Sequence, residues 1–161
     1  MTDRDYNQCV DNYSDGLYRF ILHNMRDEEE AKDVVQDTFE KMWVKHKDVD
    51  AKKAKSYLFT TGYHTMLDRI KKKKRSTPME TANYNMHSHT EQYSDASEVI
   101  RNAVNKLPEV QRSVIMLRDY EGYSYAEIAD ITNLTIAQVK IYIYRARVFL
   151  KEYLVSVNTV I

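Results

Sequence analysis

Glycine and proline are scarce, three and two in 161 residues. A fold of short strands and tight turns needs more of both, so an all-α chain is expected. The single cysteine, Cys9, has no second thiol to pair with and no neighbouring histidine, which excludes an internal disulfide and leaves it as a packing residue. No apolar run approaches the ~20 residues of a membrane-spanning helix. The opening MTDRDYNQCV has neither the basic nor the apolar segment of a signal peptide. A cytoplasmic protein with no membrane insertion is therefore expected. Net charge is lacking too, with 24 bases against 24 acids. That balance conceals segregation. Residues 1–50 carry seven bases and thirteen acids, 51–75 nine and one, 76–100 none and four, and 101–161 eight and six. Regions of opposite sign imply two different kinds of partner.

Ser76 to Ser97 is rich in Ser, Thr and Asn and has no sustained apolar period. It reads as a flexible linker. Two small helical domains follow, 1–75 and 96–161, joined by a linker over 76–95.

In the second domain, Ser124 with Glu127 and Thr135 with Gln138 each fit the S/T-x-x-E/Q capping box. Two helix starts thus lie close together. Ile128, Ala129 and Ile131 give the first helix an inner face, and Asn133 stands where a tight turn needs a residue tolerant of positive φ. In the second helix Ile136, Val139, Ile143, Ala146, Leu150 and Tyr153 follow the inner spacing. Ala137, Lys140, Ile141, Tyr144, Arg145 and Arg147 are left on outer or flanking faces. A basic, aromatic and partly apolar surface of this kind suits the major groove, because guanidinium forks can meet guanine edges or phosphates and Ile can touch a thymine methyl. The pattern is a helix-turn-helix. Upstream, Val99, Ala103, Val104 and Leu107 mark a helix ending before Pro108. Another helix contains Val110, Val114, Ile115 and Leu117, and Gly122 supplies a left-handed stop.

In the first domain, a helix over much of Tyr6 to Met25 is followed by one capped by Asp27, with Glu30 closing the box. Its apolar stripe is Ala31, Val34, Val35, Thr38, Phe39, Met42 and Trp43. Asp33, Gln36, Asp37 and Glu40 then form a compact outer surface, either a solvated face or a dock for an arginine-rich partner. His46 to Lys55 reads as a connecting loop with a basic end. From Ser56 the pattern is helical again, with Phe59, Gly62, Tyr63, Met66, Leu67 and Ile70 on one side and Tyr57, Thr60, His64, Lys71 and Arg75 opposite. Aromatic and hydrogen-bonding groups leading into the basic run 71–75 fit a nucleic-acid track.

Taken together, the segments EAKDVVQDTFEKMW, SYLFTTGYHTMLDRIKKKKR and LPEVQRSVIMLRDYEGYSYAEIADITNLTIAQVKIYIYRAR, in this order and spacing, resemble the extracytoplasmic-function (ECF) class of bacterial RNA polymerase sigma factors. The resemblance implies a protein that binds core polymerase and directs promoter-specific initiation. Asp33, Gln36, Asp37 and Glu40 would dock on the clamp of the largest subunit, with Phe39 and Trp43 in the core. Lys52, Lys53, Lys55, Tyr57, Thr60, His64, Lys71 and Arg75 would engage and melt the minus-ten element, and Thr135, Gln138, Lys140, Ile141, Tyr144, Arg145 and Arg147 would meet the minus-thirty-five element. An anti-sigma factor is a further implied partner. The chain departs from the family where His64 replaces a frequent Asn, Ile141 a small polar residue and Asn133 a glycine.

Two other readings explain less. An ordinary helix-turn-helix regulator accounts for 107–153 but not for the acidic and basic helices before it. A metal-dependent enzyme using His87 and His89, with His46 or His64, lacks a carboxylate or thiolate constellation around the pair. No enzymatic activity, metal or cofactor is therefore expected.

Overall fold

The computed structural model describes residues 1–76 and 95–160. Among these the regular structure is entirely helical: α1 (Asp3–Met25), α2 (Glu28–Lys45), α3 (Ala54–Ser76), α4 (Asp95–Asn105), α5 (Glu109–Ile115), α6 (Tyr125–Thr132) and α7 (Ile136–Val160). The helices fall into two compact units, α1–α3 and, in the main, α4–α7. Ser76 closes α3 and Asp95 opens α4, and the rest of the expected linker lies outside the described residues.

Unit 1 is a three-helix packing. α1 begins earlier than the apolar pattern indicates because Thr2 caps it: Thr2 Oγ1 accepts the Asp5 amide at 3.0 Å and Asp5 Oδ2 accepts the Thr2 amide at 3.1 Å. The hydrogen bond from the Thr2 amide holds the Asp5 carboxyl below its ordinary range. The helix passes through Gly16 unbroken and stops at Arg26, whose left-handed backbone (φ 59°) sends its amide to Leu22 O. Leu17, Phe20 and Ile21 from α1, Ala31, Val34 and Met42 from α2, and Leu58, Phe59 and Met66 from α3 are fully buried together. Gly62 lets α1 and α3 approach: a Cβ there would stand 2.8 Å from Leu17 Cδ1.

Three expectations change in this unit. Asp27 does cap α2, accepting the Glu30 amide at 3.2 Å, but Glu30 does not close the box; its Oε1 accepts from Arg69 of α3 instead. Trp43 is not core. It is 46% exposed, past the stretch where Met42 takes the inward position, and its ring stacks on His46 (4.2 Å) and meets Tyr6 edge-on (4.9 Å). The connection 46–53 is two 3-10 turns rather than a plain loop, anchored by a buried His46 whose Nδ1 lies 2.6 Å from Trp43 O and whose Nε2 lies 2.8 Å from Asp3 Oδ1.

Unit 2 follows the expected order of short helices. Pro108 precedes α5, and Gly122 supplies the left-handed turn (φ 76°) after a π turn over Met116–Tyr120. Leu107, Val114, Leu117, Ile128, Val139 and Ile143 form the shared core, all buried. Arg112, also buried, turns its guanidinium to Leu107 O at 3.1 Å and thereby satisfies a carbonyl beyond the end of α4. Ile136 departs from its expected inward place and is 45% exposed: helical spacing puts it on the inner stripe, but burial also requires a facing partner.

Candidate functional site

The acidic face stands on α2. Helical spacing brings Asp33, Gln36, Asp37 and Glu40 onto one outer stripe while Val34, Thr38, Phe39 and Met42 bury the other side. Thr38 is kept inside by a hydrogen bond from its hydroxyl to Val34 O at 2.6 Å. Arg69, which sequence reasoning missed, enters this face from α3. Its Nη2 donates to Asp37 Oδ2 at 2.8 Å, and its Nη1 donates to Glu30 Oε1 at 3.1 Å and lies 3.6 Å from Asp33 Oδ2. Burial by itself would lower the guanidinium's pKa, but the carboxylates of Glu30 and Asp37 outweigh it and the balance is upward. One signal in the sequence pointed to such a role: Arg69 flanks the apolar stripe of α3 with no acid one turn away on its own helix.

The second face lies on α3 and the turns before it. Lys52 and Lys53 are exposed in the 3-10 turn Ala51–Lys53, which Asp50 caps through the Lys52 amide at 3.0 Å. Lys55 Nζ sits 5.8 Å from the Tyr13 ring centroid. Tyr57 and Thr60 are half-buried, and His64, Lys71 and Arg75 are exposed further along α3. Thr60 spends its hydroxyl proton on Ser56 O at 2.8 Å, so its oxygen's remaining capacity is as an acceptor. His64 meets the buried Tyr63 ring edge-on at 5.5 Å.

The third face belongs to the helix-turn-helix. Both expected capping boxes form. Ser124 Oγ accepts the Glu127 amide at 3.1 Å and Glu127 Oε1 accepts the Ser124 amide at 2.8 Å. The corresponding distances for Thr135 and Gln138 are 3.1 and 2.9 Å. Asn133 takes the left-handed turn position at φ 62°. With both ends of the turn fixed, α7 presents Lys140, Ile141, Tyr144 (64% exposed), Arg145 and Arg147 outward. Thr135 and Gln138 are also exposed, but their oxygens serve the cap, which leaves the Gln138 amide nitrogen as the pair's group for an external acceptor. Aromatic rings hold several of the cations. Arg118 and Lys140 both lie over Tyr125, at 4.4 and 5.7 Å from its centroid, and Arg145 lies 6.0 Å from that of Tyr142. Arg147 differs, with its Nη2 bound to Asp119 Oδ1 at 2.8 Å; that hydrogen bond is the main cause of its raised pKa.

Among the described residues no group of three or more His, Cys, Asp or Glu side chains is arranged to hold a metal ion, and His87 and His89 lie outside them. No described helix is long and apolar enough to cross a membrane.

Comparison with known proteins matches each unit separately. The family model for sigma-70 region 2 covers residues 9–76 and that for sigma-70 region 4 covers 97–150. The RNA polymerase sigma factor YlaC of Bacillus subtilis is 30% identical over 163 residues, covering 92% of this chain and 87% of that protein. The ECF RNA polymerase sigma factor SigW of the same organism is 27% identical over 94% of this chain and 90% of its own. Among solved structures, the sigma factor RpoE of Bartonella quintana, crystallised with the anti-sigma factor NepR, superposes with a TM-score of 0.77 at 28% identity, covering 94% of this chain and 97% of that one.

Proposed function

The chain belongs to the ECF class of RNA polymerase sigma factors, and from that membership we propose how its three faces divide the work of promoter-specific transcription initiation. The α2 face of Asp33, Gln36, Asp37 and Glu40 docks on the clamp of the largest polymerase subunit, where carboxylates and an amide can receive arginine forks. The α3 face takes the minus-ten element. Lys52, Lys53, Lys55, Lys71 and Arg75 follow the phosphates, while Tyr57, Thr60 and His64 stack against and hydrogen-bond a base drawn out of the duplex. The α7 face enters the major groove of the minus-thirty-five element, where Lys140, Ile141, Tyr144, Arg145 and Arg147 meet base edges and backbone.

The observation that carries this reading is the opposition within unit 1: an acidic stripe on α2 and a basic, aromatic stripe on α3, borne by one small core. An ordinary DNA-binding regulator has no use for the first stripe. On this reading the chain acts by binding alone, in the cytoplasm, without a cofactor and without catalysing a covalent step. An anti-sigma factor is its third partner, in keeping with the Bartonella relative crystallised with one.

Transcription in vitro with core polymerase and a fragmented bacterial genome as template tests the proposal. Added protein should yield transcripts starting at a fixed distance downstream of a shared pair of sequence elements. Transcripts with no shared upstream elements, or none above core enzyme alone, would overturn it.

A further inference from the structure

The acids of α2 already hold a cation of their own chain. Glu30, Asp33 and Asp37 are spaced i, i+3 and i+7 on one helical face, where like charges repel. Arg69 offsets that repulsion, with one guanidinium nitrogen 3.1 Å from Glu30 and the other 2.8 Å from Asp37. Two of the three acids, Asp33 and Asp37, belong to the proposed docking face, and Asp37 is 44% exposed there. A partner's arginine reaching for Asp37 meets a carboxylate whose Oδ2 is taken and a like charge beside it. It must displace Arg69 or work around it.

Resting on the docking reading above, the geometry points to Arg69 as a specificity-determining residue for polymerase docking, an internal guanidinium that only a well-placed partner guanidinium can replace. A planar fork is matched by another fork, whereas lysine is a hydrated point charge with no comparable geometry. The acidic face is therefore shielded from diffuse polycations, including the basic runs at 71–75 of other copies of the chain. The gain is selectivity, at the expense of some affinity for the proper partner.

The test uses the full chain and two probes, core RNA polymerase and polylysine, at low and moderate salt. Arg69→Gln keeps an amide donor for Asp37 but removes the charge. It should bind polylysine about two- to fivefold more tightly and core polymerase by a smaller factor, with the gain shrinking as salt rises. Arg69→Lys should fall between the variant and the natural chain on polylysine. Asp37→Asn, measured in parallel, reports the docking face itself and should weaken polymerase binding. If Asp37→Asn weakens docking while Arg69→Gln leaves both affinities unchanged, lowers them or raises both by the same factor, the role of Arg69 is overturned and the docking face stands. If Asp37→Asn has no effect on docking, that face is wrong and the role of Arg69 falls with it. Thermal melting screens the variants for folding; should Arg69→Gln not fold, unchanged polylysine binding by Arg69→Lys overturns the role.

Discussion

In unit 1, cations are held mainly by carboxylates reached across helices: Arg69 by Glu30, Asp33 and Asp37, and Lys73 by Asp27 at 3.7 Å. In unit 2 they are held mainly by rings, with Arg118 and Lys140 over Tyr125 and Arg145 over Tyr142. The two ways of fixing a side chain differ in what they do to its field. A carboxylate orders a guanidinium and cancels its charge, whereas a ring's quadrupole orders it and leaves the charge intact. Unit 1 carries faces of opposite sign, and neutral pairs between α2 and α3 keep the two fields from collapsing onto each other. On the proposed reading unit 2 meets a polyanion and keeps its positive charge for it. Lys55 of unit 1, assigned to the phosphates, agrees with this and rests over the Tyr13 ring.

The largest effect should come from removing what holds the α7 face in place. Ile143 is 2% exposed on the inner side of α7, and Ile143→Ala should cost unit 2 about 2–5 kcal/mol. Denaturant unfolding followed at unit 2 should show the loss while the α1–α3 packing keeps its midpoint. An equal shift in both units would mean that they do not fold separately. Next in size is reversal of the acidic face. Asp37→Arg loses the Arg69 pair and sets two guanidinium groups side by side, at about 1 kcal/mol for so exposed a pair. Val34, Thr38 and Phe39 remain buried opposite, so the helix persists. Docking should weaken by about 2 kcal/mol or more, read as lost polymerase binding and lost promoter-specific transcription, with binding to minus-thirty-five duplex unchanged. Full transcription by Asp37→Arg would remove the functional distinction between the two faces of unit 1.

A finer comparison separates reading from positioning. Arg145→Ala should lower affinity by about 1–3 kcal/mol and relax preference at one or two minus-thirty-five positions, if its fork meets a guanine. Lys71→Ala should weaken every promoter alike and flatten the salt dependence, since a phosphate contact carries no sequence. A promoter ranking left unchanged by Arg145→Ala would assign that residue to the backbone.

Legibility in the sequence followed the range of the interaction. The helix-turn-helix could be read almost residue by residue because its determinants are local: two capping boxes of four residues, Asn133 at φ 62° and Gly122 at φ 76°. The outward set on α7 is exposed as its spacing indicates, although Ile136, exposed despite its inner spacing, shows that burial needs a facing partner as well. Misreadings arose where a distant residue competed. Glu30 had the spacing of a box, but Arg69, on another helix, took its carboxylate. Trp43 had the spacing of the core, yet its place is set by Tyr6 and His46 beyond the end of the α2 stripe. His46 looked like loop and is buried because Asp3 reaches it from the start of the chain. Arg69 went unnoticed altogether, because each of its three partners lies on a different helix from its own. The lack of an acid one turn from Arg69 on its own helix hints that its partner lies elsewhere, but no local pattern says where.

The smallest predicted effect tests whether charge cancellation is what sets the two units apart. Among the described residues, Arg147 is the one cation of the proposed α7 face that binds a carboxylate, Asp119 at 2.8 Å, with both side chains about half exposed. By the logic of unit 1 this guanidinium is fixed but muted. Asp119→Asn preserves the shape and an acceptor oxygen while removing the charge, so Arg147 stays near its position with its field restored. Stability should change by no more than about 1 kcal/mol, as for other exposed pairs. Affinity for minus-thirty-five duplex should rise about two- to fivefold at low salt, and the slope of log affinity against log salt should steepen by up to about 0.9, the value of one added phosphate contact. The ranking of promoter variants should stay the same, because a phosphate contact adds no base readout. A fall in affinity would mean that Asp119 aims Arg147 at the DNA rather than restraining it, and cancellation would then not be what distinguishes a carboxylate-held cation from a ring-held one.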